Sequence, residues 1–282
     1  STGYDKQAEK EIAATADTVK DIIQQVMEKT KKAAAAMAAD PYLISSMEKK
    51  ETGRLQEMAR AFMSNYGLDL VILADHEGKI LAQGHSNDTG NYITDQINVK
   101  KALSGETTVG LEEGKSVKFS LLAGAPVKAG GRIIGTVTPG MSLSSTTSFV
   151  DGIKKTCGIE CTIFQGDQRV STTLERDGKR LIGTRMDNPV VIETVLQKGQ
   201  QFLDRNKIVG KNYNTAYWPI IGADGKIAGM YFIGKDRTAM EAMISSVIWS
   251  ILMAGLIVGG FMAVLGYFLT RTIVRPILQK MD

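Results

Sequence analysis

Hydrophobic positions follow three different rhythms along the chain. Between Tyr4 and Ala39, apolar or small residues recur at Ile12, Ala16, Val19, Ile23, Val26, Thr30, Ala33 and Met37, with spacings alternating between four and three. That is the period of one stripe along a helix, and neither Gly nor Pro interrupts it. The pattern predicts a helix about 50 Å long at ~1.5 Å per residue. It should end at Asp40-Pro41, because a residue before proline is pushed out of the α region. Its stripe can seat the helix on its own domain, and can also form a seam with a second subunit. Residues 51–65 place Leu55, Met58, Ala59 and Phe62 on one face and predict a shorter helix, stopped by Gly67.

The second rhythm is short and strand-like, and it occurs twice. The first pass has an apolar run at 68–74, a turn at 75–79, a run at 80–83, a polar loop with Gly90, and a helix ending near Leu103 and Gly105. Strand-like runs follow at 107–111, 117–127 and 132–141. A helix over 149–156 leads into the second pass. This has runs at 161–164 and 169–173, a polar loop with Gly183, a helix ending near Leu196 and Gly199, and runs at 201–209, 212–221 and 226–233. Gly90 and Gly183, Leu103 and Leu196, and Pro126 and Pro219 each stand 93 positions apart, and Gly135 and Gly229 stand 94 apart. Landmarks in such register point to duplication of one module. Gly130-Gly131 and Asp224-Gly225 are hairpin-turn pairs. This order of helices and strands predicts an α+β fold of antiparallel sheets with helices packed on them.

The third rhythm is the loss of all charge. No charged side chain occurs from Ala242 to Thr270, longer than the ~20 residues that cross a ~30 Å hydrocarbon core. A helix satisfies its own backbone there. Trp249 and Tyr267 stand towards the two ends, and Gly255 and Gly259 form a small-residue pair. Arg271, Arg275 and Lys280 follow the span, against Lys235 and Arg237 before it. The excess places the C-terminal side in the cytoplasm. The expected location is therefore the inner (cytoplasmic) membrane, in contact with lipid, with the folded mass periplasmic or extracellular. No signal peptide opens the chain and the last residues read as the start of a new helix, so a fragment of a longer receptor is expected, with an earlier membrane anchor.

Charge and composition remove several classes. The net charge is +4 and no basic tract occurs, so nucleic acid is not an expected partner. Two histidines and two cysteines give no zinc spacing and no nucleophile–base constellation. No catalytic residue, metal or cofactor is expected, and the chain does not read as an enzyme. The glycines of 110–114 and 124–140 are not followed by a Gly-Lys-Ser/Thr and read as turns and close strand packing. Cys157 and Cys161 either close a small-loop disulfide in an oxidising compartment or remain two buried thiols.

Several segments carry a resemblance. They are Thr162-Ile-Phe-Gln-Gly-Asp-Gln-Arg-Val-Ser-Thr-Thr173, Gly183-Thr184, Tyr213-Asn-Thr-Ala-Tyr-Trp-Pro219 and Gly229-Met-Tyr-Phe-Ile-Gly234. With the long first helix and the apolar span, they resemble the double Cache sensor region (Cache 3/Cache 2 fusion type) of methyl-accepting chemotaxis proteins. Arg271-Thr-Ile-Val-Arg-Pro276-Ile-Leu resembles the opening of a HAMP relay domain. The resemblance implies a long stalk helix and a short second helix over 1–65, a membrane-distal PAS-like module over 66–145 and a membrane-proximal one over 146–240. A transmembrane helix over 242–270 and the start of HAMP over 271–282 complete it. It implies a receptor that senses a small molecule and signals to cytoplasmic partners through a further C-terminal part, while the heptad stripe and the small-residue pair in the span predict a homodimer. The Tyr, Arg, Trp-Tyr pattern of amino-acid-binding double Cache receptors has no counterpart here. The same sensor could feed a histidine kinase or a cyclic-dinucleotide enzyme. An alternative of another class is a membrane-anchored assembly protein without a ligand.

PAS-like modules bind ligands between the sheet and the loop that crosses it. In the first module the loop is 84–92 and the facing strand 116–122. Alternation puts Lys118, Ser120 and Leu122 on one side, where His85, Ser86, Lys118 and Ser120 would converge on a small carboxylate. The plain alternative is that Lys118 faces solvent. In the second module Lys211, Tyr213, Thr215 and Tyr217 share a strand face, with Arg176, Arg180 and Arg185 in the loop. These are a secondary set, since that module is expected to act more as a transmitter.

Overall fold

The computed structural model describes residues 3–113 and 118–269. The chain forms two units, one up to Lys235 and one from Asp236. The first unit opens with helix α1 (Gly3–Ala38), followed by α2 (Pro41–Glu48) and α3 (Thr52–Tyr66). The stripe read from the sequence is turned inward: Ile12, Ala16, Val19, Thr30, Ala33 and Met37 are all buried against the chain's own sheets. Its first half joins one core and its second half another. Most of the stripe thus packs within the fold, with Val26 left half-buried.

Asp40-Pro41 does more than end α1. The Asp40 carboxylate accepts the backbone N–H groups of Tyr42 and Leu43 at 2.8 and 3.0 Å. Pro41 takes the first helical position, where a missing N–H is harmless, so the expected break also starts a new helix. Gly67 stops α3 in the left-handed region, at φ 63°.

Two five-stranded antiparallel sheets follow. The first contains β1 (Leu70–Asp75), β2 (Ile80–Gln83), β3 (Thr108–Glu112), β4 (Ser120–Ala129) and β5 (Arg132–Ser142), with helix α4 (Ile97–Leu103) between β2 and β3. Helix α5 (Ser148–Cys157) leads to the second. This contains β6 (Glu160–Gln165), β7 (Gln168–Thr172), β10 (Phe202–Ile208), β11 (Lys211–Ile221) and β12 (Ile227–Asp236). The spatial orders are β2-β1-β5-β4-β3 and, from the matching end, β7-β6-β12-β11-β10. The two orders are the same, as duplication requires. Gly130 and Gly131 both take positive φ (55° and 79°) in the β4–β5 turn, which the right-handed strand twist favours.

The repeats differ on the face turned away from α1. The first carries α4. The second carries a small extra hairpin, β8 (Glu175–Arg176) and β9 (Lys179–Arg180), inside what reads as loop. It then has a short helix α6 (Pro189–Val191) that widens into a π-helix over Ile192–Gln197. The two sheets touch where the β11–β12 hairpin meets β3. Ala223 donates its N–H to the Leu111 carbonyl at 2.9 Å, and a Cβ on Gly110 would stand 2.9 Å from the Ala223 methyl.

The second unit is described by helix α7 (Thr238–Leu269). Met243–Tyr267, 25 residues, is long and apolar enough to cross a membrane. The segment resembling HAMP, 271–282, lies outside the described residues.

Candidate ligand sites

The face of the first sheet turned away from α1 carries Leu70, Ile72, Ala74 and Leu122, packed with Ile80, Ile93 and Val99. The loop after β2 is stitched to α3. The Gln56 side-chain amide donates to the Ser86 carbonyl at 3.1 Å, and Arg60 donates to Asn87 Oδ1 at 2.7 Å. Gln83 donates to the Asp88 carbonyl at 2.7 Å. A loop tied at three points holds His85 over the end of the sheet.

There a cavity of about 310 Å³ is lined by Asp69, Leu70, His85, Lys118, Ser120, Ser142, Ser145 and Thr146. Three of the four residues expected at the first site therefore converge. Lys118 precedes β4 and is exposed, while Ser120 is fully buried and donates to the Lys118 carbonyl at 2.6 Å. Ser116 and Val117, read as part of the same strand, lie outside the described residues. Ser86 does not line the cavity; its Oγ accepts the Asp88 N–H at 3.0 Å and shapes the loop instead. Burial holds the His85 imidazole below its ordinary value of 6.5, so it is neutral near pH 7.

Asp69, Ser142, Ser145 and Thr146 are additions that the sequence did not signal. Asp69 Oδ2 accepts the Ser142 N–H at 2.9 Å, and Ser142 Oγ accepts the Ser145 N–H at 2.9 Å. Ser120 and Ser142 face each other across the β4–β5 ladder. Under α4, on the same sheet face, Asn98 donates to the Ala123 carbonyl and to Thr138 Oγ1 at 3.3 and 3.4 Å. Asn98 Oδ1 and Thr136 Oγ1 are buried without a partner among the described residues. A cavity holding one ammonium, one neutral imidazole, one carboxylate and several hydroxyls suits a small polar ligand with a carboxylate for Lys118 and a donor for Asp69.

In the second module the secondary set is divided. Tyr213 and Tyr217 belong to the apolar core beneath the crossing loop, and burial pushes the Tyr217 hydroxyl up to about 12. Thr215 Oγ1 donates to the Asp204 carbonyl and accepts from Asn206, both at 3.0 Å. Arg180 is spent on Asp151, at 2.8 Å, and on the Thr172 carbonyl. Lys211 is also engaged. Only Arg176 and Arg185 open into a cavity, of about 320 Å³. Arg169 and Lys207, which no sequence pattern singled out, open into it as well.

The disulfide that the spacing of Cys157 and Cys161 allows is not formed; both are free thiols. Cys161 is fixed in β6, where its N–H donates to Thr173 Oγ1 at 2.9 Å, and burial raises its thiol pKa. Among the described residues no group of His, Cys, Asp and Glu could hold a metal ion.

Two models of a family described as single cache domain 3 match the chain, over residues 17–153 and 141–247. No curated protein matches it in sequence. Among solved structures, the sensor domain of the V. cholerae histidine kinase DctB is similar, with a TM-score of 0.56 at 11% identity, covering 82% of this chain and 98% of that one. The periplasmic domain of Vibrio cholerae LuxQ gives 0.53 at 10% identity, covering 80% and 99%. The sensory domain of the Campylobacter jejuni chemoreceptor Tlp3 gives 0.50 at 14% identity, covering 82% and 92%. At such identities the likeness is one of fold.

Proposed function

We propose that this chain, a tandem of Cache sensor modules over residues 17–247, is the ligand-sensing and transmembrane part of a bacterial chemoreceptor. We further propose that its first module takes a small carboxylate at Lys118. The convergence of His85, Lys118 and Ser120 on one cavity with Asp69 carries this reading. The Lys118 ammonium has no carboxylate partner among the described residues and supplies the charge that a carboxylate needs. Asp69 adds a preference for a ligand that also bears a hydroxyl or an ammonium. The site is one of binding, not catalysis.

Signalling follows from differential affinity. A ligand that binds one arrangement of the module better than another shifts the population between them. β3 borders α4 in the first module and meets the β11–β12 hairpin of the second, so a shift on the ligand face has a packed route onward. The output side rests on the resemblance of Arg271 to Leu278 to a HAMP opening. A histidine kinase uses the same input fold, and homodimerisation is part of the same proposal.

Titration of the full chain in detergent with a panel of small hydroxy- and amino-carboxylates tests the site. We expect a ligand-dependent rise in melting temperature that Lys118→Ala abolishes without lowering the unliganded melting point. Loss of such a charged partner typically weakens binding by a few kcal/mol. An unchanged dissociation constant in Lys118→Ala would move the site elsewhere. Orientation is tested separately: Asp88→Cys should react with an impermeant maleimide in intact cells, and protection of that thiol would reverse the topology.

A further inference from the structure

We propose that the first module carries a second binding site, for an aromatic carboxylate, on the α2 side of its sheet, opposite the face that the crossing loop covers. The place is a groove of about 600 Å³ between α2, the β1–β2 turn and the start of β5, within the ~300–1,000 Å³ range of small-molecule sites. It shares no residue with the Lys118 cavity. Met47, Leu81 and Ile134, which line it, pack with the core beneath α2 and α3, whereas Leu70, Ile72 and Ile80 lie on the other face.

The groove exists because β5 outruns its neighbour. Pairing of β1 with β5 ends at Asp75 and Gly135, while β5 itself begins at Arg132. At that level β1 has already turned into its hairpin and leaves a step. Asp75 is committed to the hairpin: its Oδ1 accepts the N–H groups of Glu77 and Lys79 at 2.9 and 3.0 Å. Gly135 makes room for Met47 at the step, since a Cβ there would clash with the Met47 methyl group. Leu81 and Ile134 complete an apolar floor and are only half-buried.

Charge selects the occupant. Lys50, Lys79 and Arg132 border the floor, against Glu48 and the committed Asp75. None of these three cations makes an ion pair among the described residues. Lys50 carries a further mark. At the end of α2 the Lys50 N–H donates to the Met47 carbonyl at 3.2 Å, and the Glu51 N–H donates to the Ser46 carbonyl at 3.0 Å. This is a Schellman turn, whose left-handed position is usually glycine; here it is Lys50, at φ 56°. A lysine kept where glycine is least strained puts an ammonium at the groove, and strain of this kind gathers at ligand sites. An aromatic ring suits the floor, because a methionine thioether makes favourable contacts with it, and cations at the rim are attracted to its face. A carboxylate on the ring takes charge-assisted hydrogen bonds from the same cations.

Isothermal titration of the full chain in lipid nanodiscs tests the proposal, with indole-3-acetate, its neutral analogue indole-3-ethanol, and acetate as probes. Indole-3-acetate should bind, and each of the other two should bind more weakly by roughly tenfold or more, equivalent to ~1.4 kcal/mol. Lys79→Gln and Arg132→Gln should each weaken indole-3-acetate binding several-fold. Lys50→Gly should weaken it as well while holding or raising the melting temperature of the unliganded protein, because glycine takes the left-handed turn without strain. A poorly folded variant would not combine those two effects. Lys118→Ala should leave the affinity for indole-3-acetate as it is, which separates this site from the first. Four results would overturn the proposal: an unchanged dissociation constant in the Lys79→Gln/Arg132→Gln double variant, loss of indole-3-acetate binding in Lys118→Ala, equal binding of indole-3-ethanol or acetate, or no heat from indole-3-acetate at millimolar concentration.

Discussion

Glu112, the last residue of β3, holds Asn98 in the first turn of α4: its Oε1 accepts the Asn98 N–H at 2.8 Å, and its Oε2 accepts the Ile97 N–H at 2.7 Å. The residue before α4, Gln96, makes no side-chain cap, so an edge strand caps the helix that covers the ligand face. Glu112 is also buried and sits among residues of the β11–β12 hairpin. Glu112→Ala would leave two N–H groups without their acceptor, at ~1–3 kcal/mol each where buried. Glu112→Gln should lose less. Chemical denaturation of the three proteins checks the order.

The same carboxylate gives a pH signature. Burial raises its pKa above the usual 4.5, although the two N–H donors oppose this. The folded state therefore binds a proton that the unfolded state does not over the window between 4.5 and the raised value. This part of the stability grows as the pH falls through that window. Glu112→Gln should remove that growth, as melting curves across the window will show.

Gly124 lies under α4. A Cβ there would stand 2.5 Å from the Asn98 carbonyl oxygen. Because that contact is backbone, no side chain can swing aside. Gly124→Ala should push α4 off the sheet and destabilise the protein by about 1–3 kcal/mol, as overpacked cores do. A melting temperature equal to that of the unmodified protein would show that α4 is free to shift.

His85 makes carboxylate binding sensitive to pH. Its imidazole titrates below 6.5 because it is buried. Protonation puts a second cation in the cavity with Lys118, so affinity for a carboxylate should rise as the pH falls below 6.5. The unliganded protein should show the reverse trend: a histidine kept neutral by folding costs stability as the pH falls through its folded value. Titrations at about pH 7.5 and about pH 5.5 check the first effect, and His85→Gln should flatten it.

Val209 and Gly210 take φ 50° and 79° at the β10–β11 turn, where Asn-Gly is the favoured pair. A left-handed conformation costs an ordinary L residue roughly 1–2 kcal/mol. Val209→Asn should recover up to about 1 kcal/mol of this, read as a higher denaturation midpoint.

The sequence by itself determined what local spacing encodes. It set the long helix and its stripe, the stop at Gly67, the two hairpin turns, the apolar span and the 93-residue repeat. Each is a choice of backbone conformation or of one buried face, made among residues close in the chain. Alternation along one strand also put Ser120 and Leu122 on the ligand face of β4, which is why His85, Lys118 and Ser120 were legible as a site. Tertiary structure decided what distant segments bring to that face. Asp69 and Ser142 enter the first cavity because β1 and β5 are neighbours, a pairing 73 residues apart in sequence. Arg169 enters the second from β7 and Lys207 from β10, strands at opposite edges of one sheet. The stripe of α1 could have faced a partner, but two sheets were available to bury it. Charge and hydrogen-bonding capacity are written in the residues, but which groups share one low-dielectric space depends on long-range packing that no local pattern records.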